Sequence, residues 1–176
     1  MAEKILNQVR KFFKEEWGKA SEEVHKNFKG HFEGVLKYAK MLGEKENADM
    51  EIVEISVLLH DMSSLRGEYE DHHIKGAKIA EELLKKLNYP NKKIKQVKHC
   101  ILAHRGSKDI KRETKEAQIL VDADAMCHFD EIDALFNAYG TKEEVLRKLE
   151  RSYNKLSDES KQIMKNKLME AKINLK

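Results

Sequence analysis

The chain has 176 residues, 37% of them charged and 40% apolar, and its 34 basic and 31 acidic side chains leave a formal net charge of +3. That balance is too mild to call for a nucleic-acid partner, and the charges are interleaved in the manner of solvated helix faces. No apolar run approaches the length of a membrane span, and the opening Met1-Ala2-Glu3-Lys4-Ile5-Leu6 does not read as a signal peptide.

The length suits one domain, 1–176, with a substantial core. Two cysteines, Cys100 and Cys127, lack CxxC spacing, which argues against a zinc ribbon or a disulfide framework and for a reducing, cytoplasmic setting. A single proline and few glycines favour helices, and β-branched alternation is nowhere sustained.

Ile5, Val9, Phe12, Phe13 and Trp17 form one helical stripe, a packing helix ending near Gly18. A second helix carries Phe28, Phe32, Val35, Ala39 and Leu42 and is expected to stop at Gly43. Asp49 caps a third, through Ile52, Ile55, Val57, Leu58 and Leu59 to His60-Asp61. Ser63 to Gly67 reads as a loop. The next helix holds Ala77, Ala80, Leu83, Leu84 and Leu87 and must end before Pro90. Asn91 is the expected cap of a helix through Ile94, Val97, Ile101 and His104. The polar run Arg105 to Arg112 reads as a loop. Thr114 caps a helix with Ala117, Leu120, Val121 and Asp124. Ile132 to Tyr139 is a short helix closed by Gly140. Thr141-Lys142-Glu143-Glu144 is a capping-box pattern opening a helix with Val145, Leu149 and Tyr153, and Ser157 starts the last one. The architecture predicted is an all-α bundle with short connections.

Several polar residues interrupt the apolar stripes. His31 lies four before Val35, His60 continues Val53 and Val57, and His72 is four before Gly76. His104 falls on the row of Ile94, Val97 and Ile101, and Asp124 extends Ala117, Leu120 and Val121. Taken singly, an inward histidine is most often a hydrogen-bonded core residue. Asp124 is harder to dismiss, because a carboxylate on an inner stripe needs a charge partner or a cation. With the adjacent His60-Asp61 pair, the set points to a metal site. Histidine and carboxylate ligands without cysteine suit Mn, Fe, Co, Ni, Zn or Mg. Cys127 reads as core, and His128, on the same face as Asp124, as a packing histidine.

These residues carry a resemblance. The chain resembles the HD-domain metal-dependent phosphohydrolase superfamily, whose pattern is a histidine, a His-Asp doublet and a distal aspartate. Here that reads His31, then Leu58-Leu59-His60-Asp61, then Val121-Asp122-Ala123-Asp124. His72-His73-Ile74-Lys75-Gly76-Ala77 is similar to the family's His-x-x-x-Gly-Ala segment, and Ile101-Leu102-Ala103-His104-Arg105 to its second intervening histidine. The resemblance spans roughly residues 28 to 130 of an expected core at about 20–140, with flanking helices at 1–18 and 141–176. There are departures. Many relatives carry an arginine three after the first histidine, where this chain has Gly34, and a basic residue soon after the last aspartate, where it has Ala125 and Met126. Met62-Ser63-Ser64 follows the doublet without the glycine-lysine of several subfamilies.

The resemblance implies metal held by His31, His60, Asp61 and Asp124, with Asp122 the substitute for Asp124. It implies hydrolysis of a small phosphate ester, a nucleotide among the options, by a metal-activated water. Asp61 would bridge to a second metal if His72 and His104 supply ligands; with one metal these histidines would bind phosphate or act as an acid. Lys75 and Arg105 are the expected substrate-phosphate partners, Arg105 for the fork of its guanidinium. Lys108, Lys111 and Arg112 read as solvated charges. The loops after Met62 and after Arg105 are expected at the pocket mouth. Two other readings stand beside hydrolysis: a non-catalytic HD module that binds a nucleotide or a partner, and a di-iron oxidative enzyme.

Overall fold

A computed structural model describes residues 2–105 and 110–175, and among them it has eleven α-helices and no strand. These are α1 (Ala2–Lys19), α2 (Glu22–Asn27), α3 (His31–Lys45), α4 (Met50–Leu59), α5 (Met62–Leu65), α6 (His72–Lys86), α7 (Asn91–Ala103), α8 (Lys115–Cys127), α9 (Ile132–Tyr139), α10 (Lys142–Lys155) and α11 (Asp158–Asn174). The fold is all-α, as the periodicity predicts. No helix among the described residues is long and apolar enough to cross a membrane.

Two helices are buried on nearly every side. In α8 every residue from Glu116 to Cys127 except Gln118 is buried, and α4 buries Ile52, Val53, Ile55, Ser56, Val57 and Leu59. A helix apolar all round belongs at the centre of a domain. Around this pair lie α3, α6 and α7, and one apolar cluster continues from Ile5 and Val9 of α1 to Met164 of α11. The first helix packs as expected, with Phe13 edge-on to Phe32 at 4.7 Å and Arg66 donating to Glu16 at 2.7 Å.

Local chemistry departs from expectation at several ends. Gly43 does not stop α3. It is buried inside the helix against Met50, and the chain turns instead at Asn47, whose φ is +50°. Phe28 is not part of α3: it closes the short α2, capped by Ser21, and Gly30 at φ +80° separates the two helices. The stretch read as a loop after Met62 forms the single turn α5. Asn91 is the first residue of α7 and not its cap, a place taken by Pro90 at φ −57°. Asp49, Thr114, Thr141 and Ser157 do cap their helices, each side chain accepting from a backbone N–H of the first turn.

Two small residues set helix spacing. A Cβ on Gly76 of α6 would stand 2.9 Å from the His60 carbonyl oxygen, so only glycine lets α6 reach the end of α4. A Cβ on Gly34 of α3 would run into the sulfur of Cys127 on α8. At the other end of α8, buried Asp122 fastens α11. It accepts from Gln118 Nε2 at 2.8 Å, the Ser157 backbone N–H at 3.0 Å, Ser157 Oγ at 2.5 Å and Ser160 Oγ at 2.8 Å.

Replacing Asp122 by alanine strands those donors, and urea unfolding should show a loss of about 3 kcal/mol. Gly76→Ala should cost about 1–3 kcal/mol in the same measurement. By contrast, Gly18→Ala, in a helix with nothing within 4 Å of the new Cβ, should gain up to about 1 kcal/mol.

Candidate metal centre

The polar residues that break the apolar stripes lie mostly at helix ends. His31 is the first residue of α3, and His72 is the first of α6, after Asp71 at φ +50°. His60 and His104 close α4 and α7, and Asp61 occupies the break between α4 and α5. Only Asp124 sits within a helix, the buried α8. At a helix end the side chain can swing past the cylinder of its own helix, so five elements converge without deep intrusion. His60, His104, His31 and Asp124 are 0%, 3%, 5% and 7% exposed.

Asp61 is the hub. Its Oδ2 lies 3.5 Å from His60 Nε2 and 3.9 Å from His31 Nε2. Its Oδ1 lies 3.7 Å from His72 Nε2 and 3.9 Å from His104 Nε2. Asp124 Oδ1 joins the first group, 3.7 Å from His31 Nε2. Two sets of ligand atoms therefore share one carboxylate: His31, His60 and Asp124 on one side, Asp61, His72 and His104 on the other. Asp122, the substitute for Asp124, faces α11 and not this cluster.

The ring nitrogens turned away from the centre are all engaged. Nδ1 of His60, His72 and His104 faces the carbonyls of Val57 at 2.8 Å, Tyr69 at 3.1 Å and Ile101 at 2.5 Å. A carbonyl only accepts, so each Nδ1 carries a proton and each ring turns its Nε2 inward, the atom a metal would take. Nε2 of His72 and His104 stand 3.2 Å apart, within hydrogen-bond distance. Burial, reinforced by the neighbouring His60, pushes His104 down to about 4, which keeps it neutral. Two ring nitrogens at that distance share either a proton or a metal cation. The donor set thus fits a divalent metal on geometry alone.

His31 is held differently. Its Nδ1–H donates to both Glu131 oxygens, at 3.1 and 3.2 Å. Burial opposes protonation of this ring, yet Glu131, Asp124 and Asp61 outweigh it and push its pKa up to about 8. The proton on His31 Nε2 faces His60 Nε2 at 3.4 Å. Burial alone would raise Asp61 and Asp124, but the surrounding imidazoles hold Asp61 below the usual carboxylate range, and His128, Lys155 and His31 hold Asp124 well below it.

The cluster opens into a cavity of about 1010 Å³. Ser64 and Tyr69, near the expected mouth after Met62, line it, as do Ile110 and Arg112. The remainder of the expected loop, 106–109 with Lys108, lies outside the described residues. Arg105 lines the cavity, its Nη1 held by Asp71 at 3.1 Å. Lys75, expected at the substrate phosphate, does not line it: its ammonium points along the surface to Glu68 at 2.8 Å, because the turn before α6 places an acid within reach there. Arg112, expected to be solvated, is half-buried in the cavity wall, while Lys111 is exposed.

Sequence reasoning missed Glu131, Lys148, Arg151 and Lys155, all of which line the cavity, and took His128 for packing. His128 is buried 4.0 Å from Asp124 Oδ1, with Nδ1 3.2 Å from Ser152 Oγ. The available signal was the spacing of Lys148, Arg151 and Lys155, which share one face of α10 beside Val145, Leu149 and Ser152.

Comparison with curated proteins finds no match. Among solved structures, the chain is similar to the Lin1889 protein of Listeria innocua, with a TM-score of 0.67, 18% identity, and 99% of this chain and 93% of that one covered. It is also similar to a predicted HD superfamily hydrolase from an uncultured Thermotogales bacterium, with a TM-score of 0.57, 24% identity, and 86% and 84% covered. The HD-domain family profile matches residues 28–128, the stretch that contains His31, His60, Asp61, His72, His104 and Asp124. The chain belongs to the HD-domain family.

Proposed function

We propose that this protein is a metal-dependent phosphohydrolase acting on a small phosphate ester, with a nucleotide as the class that suits its cavity. The observation that carries this reading is the pair of inward Nε2 atoms of His72 and His104, 3.2 Å apart and beside one oxygen of Asp61. On this reading His31, His60, Asp61 and Asp124 would hold one divalent ion, and His72 and His104 with Asp61 would hold a second. A divalent ion bound there supplies a water of lowered pKa and a Lewis acid for a phosphoryl oxygen.

The chain's own residues do the rest. Glu131 and the Val57, Tyr69 and Ile101 carbonyls fix the orientation of the four rings. Buried His128 keeps the far side of Asp124 within the cluster. Phe28, Tyr69 and Tyr139 on the cavity wall offer flat faces to a base. Arg105 is steadied by Asp71 at the rim. A carboxylate shared between two histidine pairs also suits oxidative di-iron chemistry, but the cationic wall of the cavity favours a phosphorylated substrate over a neutral one.

Asp61→Ala should abolish bound metal and phosphate release while leaving far-ultraviolet circular dichroism nearly unchanged. Elemental analysis of the purified protein and a phosphate-release panel with Mn, Co, Ni and Mg check this. Full activity in the variant would refute the assignment, and oxygen uptake with iron in place of phosphate release would favour oxidation.

Metal affinity should also depend on pH in a definite direction. An ion must displace the proton on His31 Nε2, a group that titrates at about 8 without metal. Apparent affinity should therefore climb as pH rises towards about 8 and flatten above it. Competition titrations with a metal indicator would show this, and an affinity falling over that interval would contradict it.

A further inference from the structure

We infer that Arg112, Lys148, Arg151 and Lys155 form a binding site for a second anionic group, so that the substrate is a small molecule bearing at least two phosphoryl groups. This rests on the phosphohydrolase reading for its chemistry, but the site itself stands on geometry. The three α10 cations recur at positions 148, 151 and 155, one helix face, and Arg112 approaches from the segment before α8. All four line the cavity into which the metal cluster opens.

None of the four has a carboxylate partner among the described residues. Other part-buried cations of the described residues are paired: Lys93 with Asp49 and Glu51, Arg66 with Glu16, and Lys98 with Glu81. The contrast holds within α10 itself, where Arg147 donates to Glu144 at 2.6 Å while its neighbour Lys148 has no such bond. Arg112 Nε is buried with no hydrogen-bond acceptor among the described residues. A buried donor without an acceptor is a cost that a bound anion would remove.

The four charges also act on one another. Burial depresses Lys155, and Lys148 and Arg112 push it further in the same direction; burial and Arg151 do the same to Lys148. Asp124 pulls the other way on both lysines, but neither forms an ion pair with it. Like charges gathered against their own repulsion, in a wall facing a cavity, form an anion site in search of its anion.

One phosphoryl group cannot account for this wall. The reacting group would be served by the metal centre. Four further cations exceed what a monoester dianion neutralises. The cavity, at about 1010 Å³, also reaches the upper end of small-molecule pockets, with room beyond the cluster for a second phosphate.

Calorimetric titration of the chelator-treated protein with inorganic pyrophosphate and with orthophosphate tests the site without metal or turnover. Pyrophosphate should bind about tenfold or more tighter than orthophosphate, and Arg112→Gln and Lys155→Met should each weaken it about fivefold or more. Arg147→Gln, on the paired face, should change nothing. Equal binding of the two anions, or no loss in the variants, overturns the site.

Kinetics with Mn then compares a nucleoside 5′-diphosphate with the matching monophosphate. The ratio of their kcat/KM values should favour the diphosphate and fall about tenfold in the Arg112→Gln, Lys155→Met double variant. Equal losses on both substrates would overturn the inference and leave the hydrolase reading standing. Wall-dependent pyrophosphate binding, with no ester hydrolysed under any metal, would support the anion site and overturn the hydrolase reading.

Discussion

The constraint on which the rest of the structure depends is the burial of imidazoles and carboxylates against one another. At the meeting of α3, α4, α6, α7 and α8, the ring nitrogens of four histidines and the oxygens of two carboxylates face one another. Burying one carboxylate already costs several kcal/mol without a partner. Nε2 of His72 and His104, 3.2 Å apart, must in addition share a proton or a cation. The metal-free protein offers one partial remedy, the proton that His31 retains up to about pH 8 under the influence of Glu131. That proton serves the His31–His60 side, whereas a cation beside Asp61 would serve both sides at once.

The scaffold invests heavily in keeping that arrangement in place. Three carbonyls and one carboxylate lock the outer nitrogen of each ring, so the rings cannot flip to relieve the crowding. Gly76 lets α6 press against the His60 carbonyl, which brings His72 to Asp61. Gly34 lets α3 press against Cys127, which brings His31 to Asp124. The glycine that stands where many relatives have an arginine is therefore not a vacancy in the pattern: its place is taken by the Cys127 thiol.

Much of the centre was legible in the sequence because its residues violate local rules. A histidine or aspartate on an apolar stripe is visible from one helix alone, and the doublet His60-Asp61 ends the most apolar helix of the chain. What was not legible depends on neighbours in space. Lys75 and Arg112 exchange their expected roles because an acid happens to lie beside the first, while the second folds under the cavity wall. Nothing in the spacing of either residue carries that information. Gly43 misled because a helix tolerates glycine where a close neighbour, here Met50, takes up the space. The breaks at Gly30 and after Leu59 shift residues by a turn or less, yet they convert an inward stripe into a set of helix ends.

The division between metal and substrate follows the chain. Every residue of the two candidate ligand sets lies within 28–128, the part shared with the family. Lys148, Arg151 and Lys155 lie beyond it, on a helix that packs against α8 and closes the cavity from outside. The basic charge that relatives carry soon after the last aspartate is absent at Ala125 and Met126, which are buried in the core. In this chain positive charge reaches Asp124 from α10 instead. A flanking helix can change its exposed and cavity-facing residues without disturbing buried ligands, because its own apolar stripe, Val145 and Leu149, is separate from its cationic one. Anion recognition placed there can diverge while the metal centre stays fixed, and α10 is where the selectivity of this protein would be written.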